Sequence, residues 1–212
     1  MLHVRDRRCR RSARYNAIGS MSAVKILVIP GSLRTGSLNA RLAAAAIDEF
    51  VRADVDVTRL SLADYPLPIY DADLEATSGV PKPAVDLKRM LGAHRGVLLV
   101  SPEYNSAPPP LLKNAIDWVS RVKDPHETQG QVFRERAFAL ASASEGRLGG
   151  TRCLAALRLI LSGCRATVIP NQLALSFADQ AYDETDRLKH PADIEALRGL
   201  VRQLIDFAQQ MK

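Results

Sequence analysis

The sequence predicts an α/β fold in which a parallel sheet lies between two helical layers, and three features predict it. Short apolar runs alternate with longer amphipathic segments along most of the chain, the pattern of repeated βαβ units. The run Gly96-Val-Leu-Leu-Val100 is nearly all apolar, as a strand buried on both faces should be. The first run, Lys25-Ile-Leu-Val-Ile-Pro30, stops at Gly31 and gives way to a loop of small hydroxyl residues and then to an alanine-rich stretch. A strand, a tight turn and a helix start in that order are how α/β proteins build a phosphate site.

Taken in order, residues 24–29 read as the first strand, and residues 39–52 as a helix with apolar positions at helical spacing. Residues 55–60 alternate like a second strand. Residues 63–80 read as irregular, broken by Pro66, Pro68 and Gly79 and acidic at Asp71, Asp73 and Glu75. A helix over 83–93, a strand over 96–100 and a helix over 110–121 carrying Trp118 follow. Residues 137–143 form a strand of small and apolar residues, 149–162 a helix ending near Gly163, and 167–169 a short strand. Residues 183–210 close the chain as a mainly helical segment whose apolar side includes Leu197, Leu200, Val201 and Leu204. Five strands in one domain suit the order 2-1-3-4-5, with a ligand at the carboxyl ends of the strands.

Composition bounds the function. A chain of 212 residues supports one α/β domain with a substantial core, and 47% hydrophobic with 25% charged residues is ordinary for a globular protein. No apolar run approaches the roughly 18–20 residues of a membrane span. The formal charge of +6 is concentrated at the start: Arg5, Arg7, Arg8, Arg10, Arg11 and Arg14, opposed only by Asp6, leave the rest of the chain at +1. A nucleic-acid partner is therefore not expected. Residues 1–22 lack the apolar core of a secretory signal and read as a disordered basic extension, with the domain occupying residues 23–212. Cys9, Cys153 and Cys164 form no C-x-x-C pair, so neither a disulfide framework nor a zinc site is indicated, and a cytoplasmic setting is expected. His94, His126 and His190 fall near element ends or in loops, where a solvent-facing role is the default.

The first loop excludes two familiar phosphate motifs. Gly31, Gly36 and Ser37 approach G-x-x-x-x-G-K-[ST], but Ser37 stands where the lysine should be. A dinucleotide fingerprint fails because position 33 is Leu. A monophosphate held by hydroxyls and backbone amides fits best, beside the simpler reading of a Gly-Ser turn with a capping side chain. Strands one, three and four would bring this loop together with residues 101–110 and 142–150. All three are rich in small residues, which let a flat ring approach the main chain.

These loops closely resemble those of the NADPH-dependent FMN reductase family of flavodoxin-like proteins, which includes quinone, azo-dye and chromate reductases. The resemblance rests on Gly31-Ser-Leu-Arg-Thr-Gly-Ser-Leu-Asn39, Pro102-Glu-Tyr-Asn105, Leu112-Lys-Asn-Ala-Ile-Asp-Trp118 and the Ser144/Gly146/Gly149 loop, across about residues 24–175. It implies a flavodoxin-like three-layer α/β/α sandwich. Ser32, Arg34, Ser37 and Asn39 would surround the FMN phosphate and ribityl chain. Pro102, Glu103, Tyr104 and Asn105 would line the isoalloxazine, mostly through main-chain contacts. Ser144 and Gly146 would face its other edge, with Gly149 beginning the next helix. Arg34 would also suit an NADPH phosphate, since a guanidinium pairs with phosphate oxygens.

The implied activity passes hydride from NADPH (or NADH) to flavin and then to a small-molecule acceptor: a quinone, an azo compound or free flavin. No side chain is expected to act as a catalytic acid or base, because the cofactor carries the chemistry. Relatives form dimers or tetramers, with residues 108–121 and 63–80 the candidate contact. Two departures from relatives, Ala107 for Ser and Pro109-Pro110 for Pro-Gly, bear on substrate fit over the ring. Trp118 suits a core or interface anchor, Tyr104 a ring cover or a subunit contact, and Lys113 with Asp117 a surface ion pair. The competing reading is a non-catalytic flavodoxin-like electron carrier or redox sensor, which the absence of an acidic docking surface disfavours. A phosphate-binding regulator without redox function is a third.

Overall fold

The computed structural model describes residues 24–128 and 130–211. The basic extension expected over residues 1–22 lies outside the described residues. Five parallel strands form one sheet in the order β2-β1-β3-β4-β5. They are β1 (Lys25–Pro30), β2 (Asp56–Arg59), β3 (Gly96–Val100), β4 (Ala137–Ala143) and β5 (Thr167–Leu175). The helices are α1 (Leu38–Arg52), α2 (Ala72–Ser78), α3 (Lys82–Gly92), α4 (Pro110–Arg121), α5 (Gln131–Arg134), α6 (Thr151–Gly163) and α7 (Pro191–Gln210).

Strand periodicity divides the core in two. Ile26, Val28, Leu98 and Val100 face the layer of α1 and α7, whereas Leu27, Ile29, Val97 and Leu99 face α3, α4 and α6. On β4 the side toward α1 and α7 is Ala137, Ala139, Ala141 and Ala143, and the opposite side carries Phe138 and Leu140. The methyl side chains allow α1 to lie close to the centre of the sheet, which brings its N-terminus to the end of β4. Helix α1 buries Leu42, Ala43, Ala46 and Phe50, the i, i+4, i+8 stripe read from the sequence.

Four expectations need correction. Residues 63–80 contain α2, capped by the Asp71 carboxylate, which accepts from the N–H groups of Asp73 and Leu74. Strand β5 runs to Leu175 rather than 169. A register shift against β4 accommodates Pro170 at the sheet edge, where a missing N–H is tolerated, and the Arg158 guanidinium donates to Ile169 and Pro170 carbonyls. The last helix starts at Pro191, and residues 183–190 belong instead to a small lobe. His94 is buried, with ring nitrogens on the Met90 carbonyl and the Thr58 hydroxyl, so it is a core histidine.

The excursion over residues 63–80 is fastened to α4. Trp118, fully buried, donates its indole N–H to the Pro68 carbonyl, and Asn114 both donates to that carbonyl and accepts from the Tyr70 N–H. Trp118 is therefore a core anchor. Among the described residues, no helix is long and apolar enough to cross a membrane.

Candidate functional site

The site is built at the carboxyl edge of the sheet by the loops leaving β1, β3 and β4. The first loop opens onto α1. Ser37 is the N-cap, its hydroxyl accepting from the Ala40 N–H at 3.3 Å, and no acidic residue lies in the first turn of the helix. The Arg34 N–H donates to the Ser32 hydroxyl, while the Arg34 side chain and Thr35 are exposed around the cap. At Gly36 the backbone is left-handed and a Cβ would meet no neighbour, so the loop is open to solvent there. Free N–H groups at the positive end of a 15-residue helix, two serine hydroxyls and a guanidinium suit a phosphate monoester.

Asn39 is engaged within the fold. Its carboxamide Nδ2 donates to the Ala143 carbonyl and its Oδ1 accepts from the Ala143 N–H, both at 2.9 Å and both buried. This pair joins the start of α1 to the end of β4. The Gly31 N–H donates to the Val100 carbonyl at 2.8 Å, and a Cβ on Gly31 would lie 3.5 Å from the Pro102 ring, so the first loop also rests on the third strand.

The loop after β3 turns back on itself. Tyr104 and Ala107 exchange backbone hydrogen bonds at 2.9 and 3.0 Å, and Asn105 and Ser106 between them both have positive φ, 51° and 67°. This is the hairpin turn normally made by Asn-Gly, closed here with a serine in a left-handed conformation, and such strain concentrates at functional loops. Tyr104 stands 52% exposed beside it.

The Glu103 side chain points away from that edge into the fold. Its carboxylate accepts from Arg152 Nε at 2.8 Å, from Arg152 Nη2 and from the Cys153 N–H at 3.1 Å. Helix α6 has no side-chain cap of its own and carries Arg152 in its first turn, against the helix dipole. Glu103 thus supplies the cap and the counter-charge from another loop. Burial alone would raise this carboxyl, but hydrogen bonds from Arg152 and Cys153 and the Arg152 charge outweigh it and hold the group below its ordinary range. A carboxyl lowered by folding contributes stability above its unfolded pKa and loses it as pH falls through the folded one. Glu103→Gln is accordingly expected to cost about 1–3 kcal/mol at pH 7. In urea titrations the gap to wild type should narrow below pH about 4.3; a gap of constant size across pH would refute the assignment.

The loop after β4 is held by glycines. Ser144 accepts through its hydroxyl from the Gly146 N–H at 3.2 Å, and Gly146 is exposed. Gly149 and Gly150 both have positive φ, Gly149 packed against the backbone of Ala174 and Leu175 and Gly150 against the Ser142 side chain, and α6 begins at Thr151 rather than at Gly149. Beneath them lies a buried polar cluster that the sequence did not foretell. The Cys153 thiol donates to Ser101 Oγ at 3.3 Å, Ser101 donates to the Pro102 carbonyl, and the fully buried Ser142 hydroxyl has no partner among the described residues. Burial pushes the Cys153 thiol up, so it remains a protonated donor rather than a nucleophile. Arg152 was legible in principle, because a cation in the first turn of a helix without an acid beside it needs a carboxylate from elsewhere.

A strand-loop-helix cradle at the carboxyl edge of a 2-1-3-4-5 sheet defines a flavodoxin-like, mononucleotide-binding protein. The profile of the NADPH-dependent FMN reductase family matches residues 24–180. A quinone reductase of Escherichia coli is 31% identical over 192 residues, covering 89% of this chain and 97% of that protein. An NAD(P)H-dependent FMN reductase of Pseudomonas aeruginosa is 34% identical over 189 residues, covering 88% and 94%. The solved structure of FerB, a flavoenzyme NAD(P)H:(acceptor) oxidoreductase of Paracoccus denitrificans, matches with a TM-score of 0.74 at 25% identity, covering 89% and 98%. The chain belongs to the NADPH-dependent FMN reductase family. It is an oxidoreductase with FMN as cofactor and NAD(P)H as reductant.

Proposed function

We propose that this chain reduces quinones and related flat acceptors with hydride taken from NADPH through FMN, both substrates using one open site in turn. When bound, the flavin supplies the redox chemistry. The observation that carries the reading is the fastening of the three loops into one rigid edge, by Asn39 to Ala143, by Gly31 to Val100 and by Glu103 to the start of α6. A rigid edge costs little further ordering on binding, which favours a tightly held cofactor.

In this reading Ser32, Arg34 and Ser37, with the first N–H groups of α1, hold the phosphate. Residues 102–105 flank one side of the ring and Ser144 with Gly146 the other, presenting main chain. Tyr104, exposed on its hairpin, offers an aromatic face to an incoming acceptor. Asn39 and Glu103 position these groups. Quinone as acceptor is supported by the likeness to the Escherichia coli enzyme. Association through α4 and residues 63–80 belongs to the same proposal: Ile69 stands 74% exposed on that surface although the segment around it is tightly pinned.

The test begins with an absorbance spectrum of the purified protein, with and without added FMN, followed by anaerobic NADPH and then a benzoquinone. Bleaching by NADPH and recovery with quinone are expected, and steady turnover should follow. A protein that stays colourless with FMN defeats the reading, and bleaching without turnover on any acceptor favours the carrier. The Arg34→Ala and Ser37→Ala pair is expected to weaken FMN binding by at least about a hundredfold, each contact to a charged phosphate being worth about 1.5–3 kcal/mol. Fluorescence titration measures it.

A further inference from the structure

Residues 176–190, between β5 and α7, form a lobe that touches the loop after β4 and the first turn of α1. At one end the Ala178 N–H donates to the Ser144 carbonyl at 3.0 Å and the Ser176 hydroxyl donates to the Arg147 carbonyl at 2.6 Å. The middle is a closed turn: Tyr182 pairs with Leu188, and the Asp183 carboxylate accepts from the Thr185 N–H, the Thr185 hydroxyl and the Arg187 N–H. At the other end Tyr182, 93% buried by its 7% exposure, lies under the guanidinium of Arg41, whose Cζ is 4.2 Å from the ring centroid. Arg41 also pairs with Asp186.

The placement of Arg41 is costly in two ways. It sits in the first turn of α1, where the helix dipole disfavours a cation, and its Nε is buried without a partner among the described residues. Its N–H donates to the Ser37 carbonyl, so it is one turn from the capping serine, yet the guanidinium is committed to Tyr182 and Asp186. A cation kept there at such a cost has a task, and the task visible in the contacts is to fasten the lobe to the phosphate loop.

We propose that Arg41 is a positioning residue for cofactor retention, acting through Tyr182 to pin residues 176–190 between the α1 start and the Ser144–Arg147 turn, and so setting how long FMN stays bound. This rests on the FMN reading above. The lobe bridges the Ser144–Arg147 turn and the first turn of α1, and the cation–π contact is its fastening to the helix.

The experiment loads the full chain with FMN, dilutes it and follows release by the rise of free-flavin fluorescence. Arg41→Met and Tyr182→Leu are expected to release FMN about tenfold faster, the scale of one desolvated cation–π contact. Tyr182→Phe keeps the ring, loses only a hydroxyl that has no partner among the described residues and should release at the wild-type rate. Asp186→Asn, an exposed position where folding is not at risk, should speed release about twofold. Folded Arg41→Met or Tyr182→Leu protein that releases FMN at the wild-type rate overturns the proposal, as does wild-type release from Asp186→Asn should the first two fail to fold. A wild-type protein that holds no FMN removes the FMN reading itself, whereas wild-type retention with unchanged variants removes this inference alone.

Discussion

Gly150→Ala is expected to lower stability by about 2–6 kcal/mol. The residue has φ of +87°, and a Cβ there would collide with Ser142 Oγ and lie 2.7 Å from Ser142 Cβ. Backbone strain of about 1–3 kcal/mol combines with an overpacking cost of about 1–3 kcal/mol. Neither can relax easily, since Ser142 is fully buried on the central strand β4 and Gly150 is the N-cap of α6. Ser142→Gly in the same chain removes the obstacle but not the strain, so the double variant should recover about half of the loss. Gly146→Ala is the control: its Cβ would sit 3.6 Å from Ser144 Oγ, an ordinary contact, and the cost should stay below about 0.5 kcal/mol. Urea unfolding of the three variants decides the matter, and a Gly150→Ala protein within 1 kcal/mol (about the error of such a comparison) of wild type would show that the α6 start is looser than described.

Asn39→Ala should cost about 2–4 kcal/mol, because it strands a buried N–H and a buried C=O on Ala143 at once. Asn39→Asp separates the two. A carboxylate can still accept from the Ala143 N–H, but it faces the Ala143 carbonyl without a donor, so this variant should be at least as unstable at neutral pH and improve on acidification as the carboxyl protonates. A residue that merely touched phosphate would behave differently: its loss would weaken FMN binding and leave the flavin-free protein as stable as before. Both are expected to fall with Asn39→Ala, FMN affinity by about tenfold, because the start of α1 loses its tie to β4 and the cradle is no longer preorganised. Unchanged unfolding of the flavin-free variant would return Asn39 to the phosphate.

The sheet was readable from the chain because each strand carries its own signal. Gly96–Val100 has the all-apolar run of a strand buried on both faces, and residues 137–143 the small and apolar composition of another; that alanine lines one face of β4 and Phe138 and Leu140 the other is seen in the packing. The lobe over residues 183–190 was misread because Leu188 and Tyr182 continue the apolar content of α7, while the Asp183 turn that breaks the helix depends on side-chain bonds that no periodicity records. The extension of β5 past Pro170 was likewise hidden, since only an edge position and the Arg158 guanidinium make that proline acceptable in a strand.

At the site the division is sharper. The residue types in the loops after β1, β3 and β4 announced a small-residue rim with a capped helix and a free arginine, properties that reside in each segment alone. The partners of the polar side chains lie far along the chain: Ala143 for Asn39, Arg152 and Cys153 for Glu103, Tyr182 for Arg41. Local pattern governs which backbone a segment adopts, since helix, strand and turn preferences act within a few residues. The role of a buried polar group depends on which distant group comes within about 3 Å of it to satisfy it, and folding in three dimensions alone brings that group there.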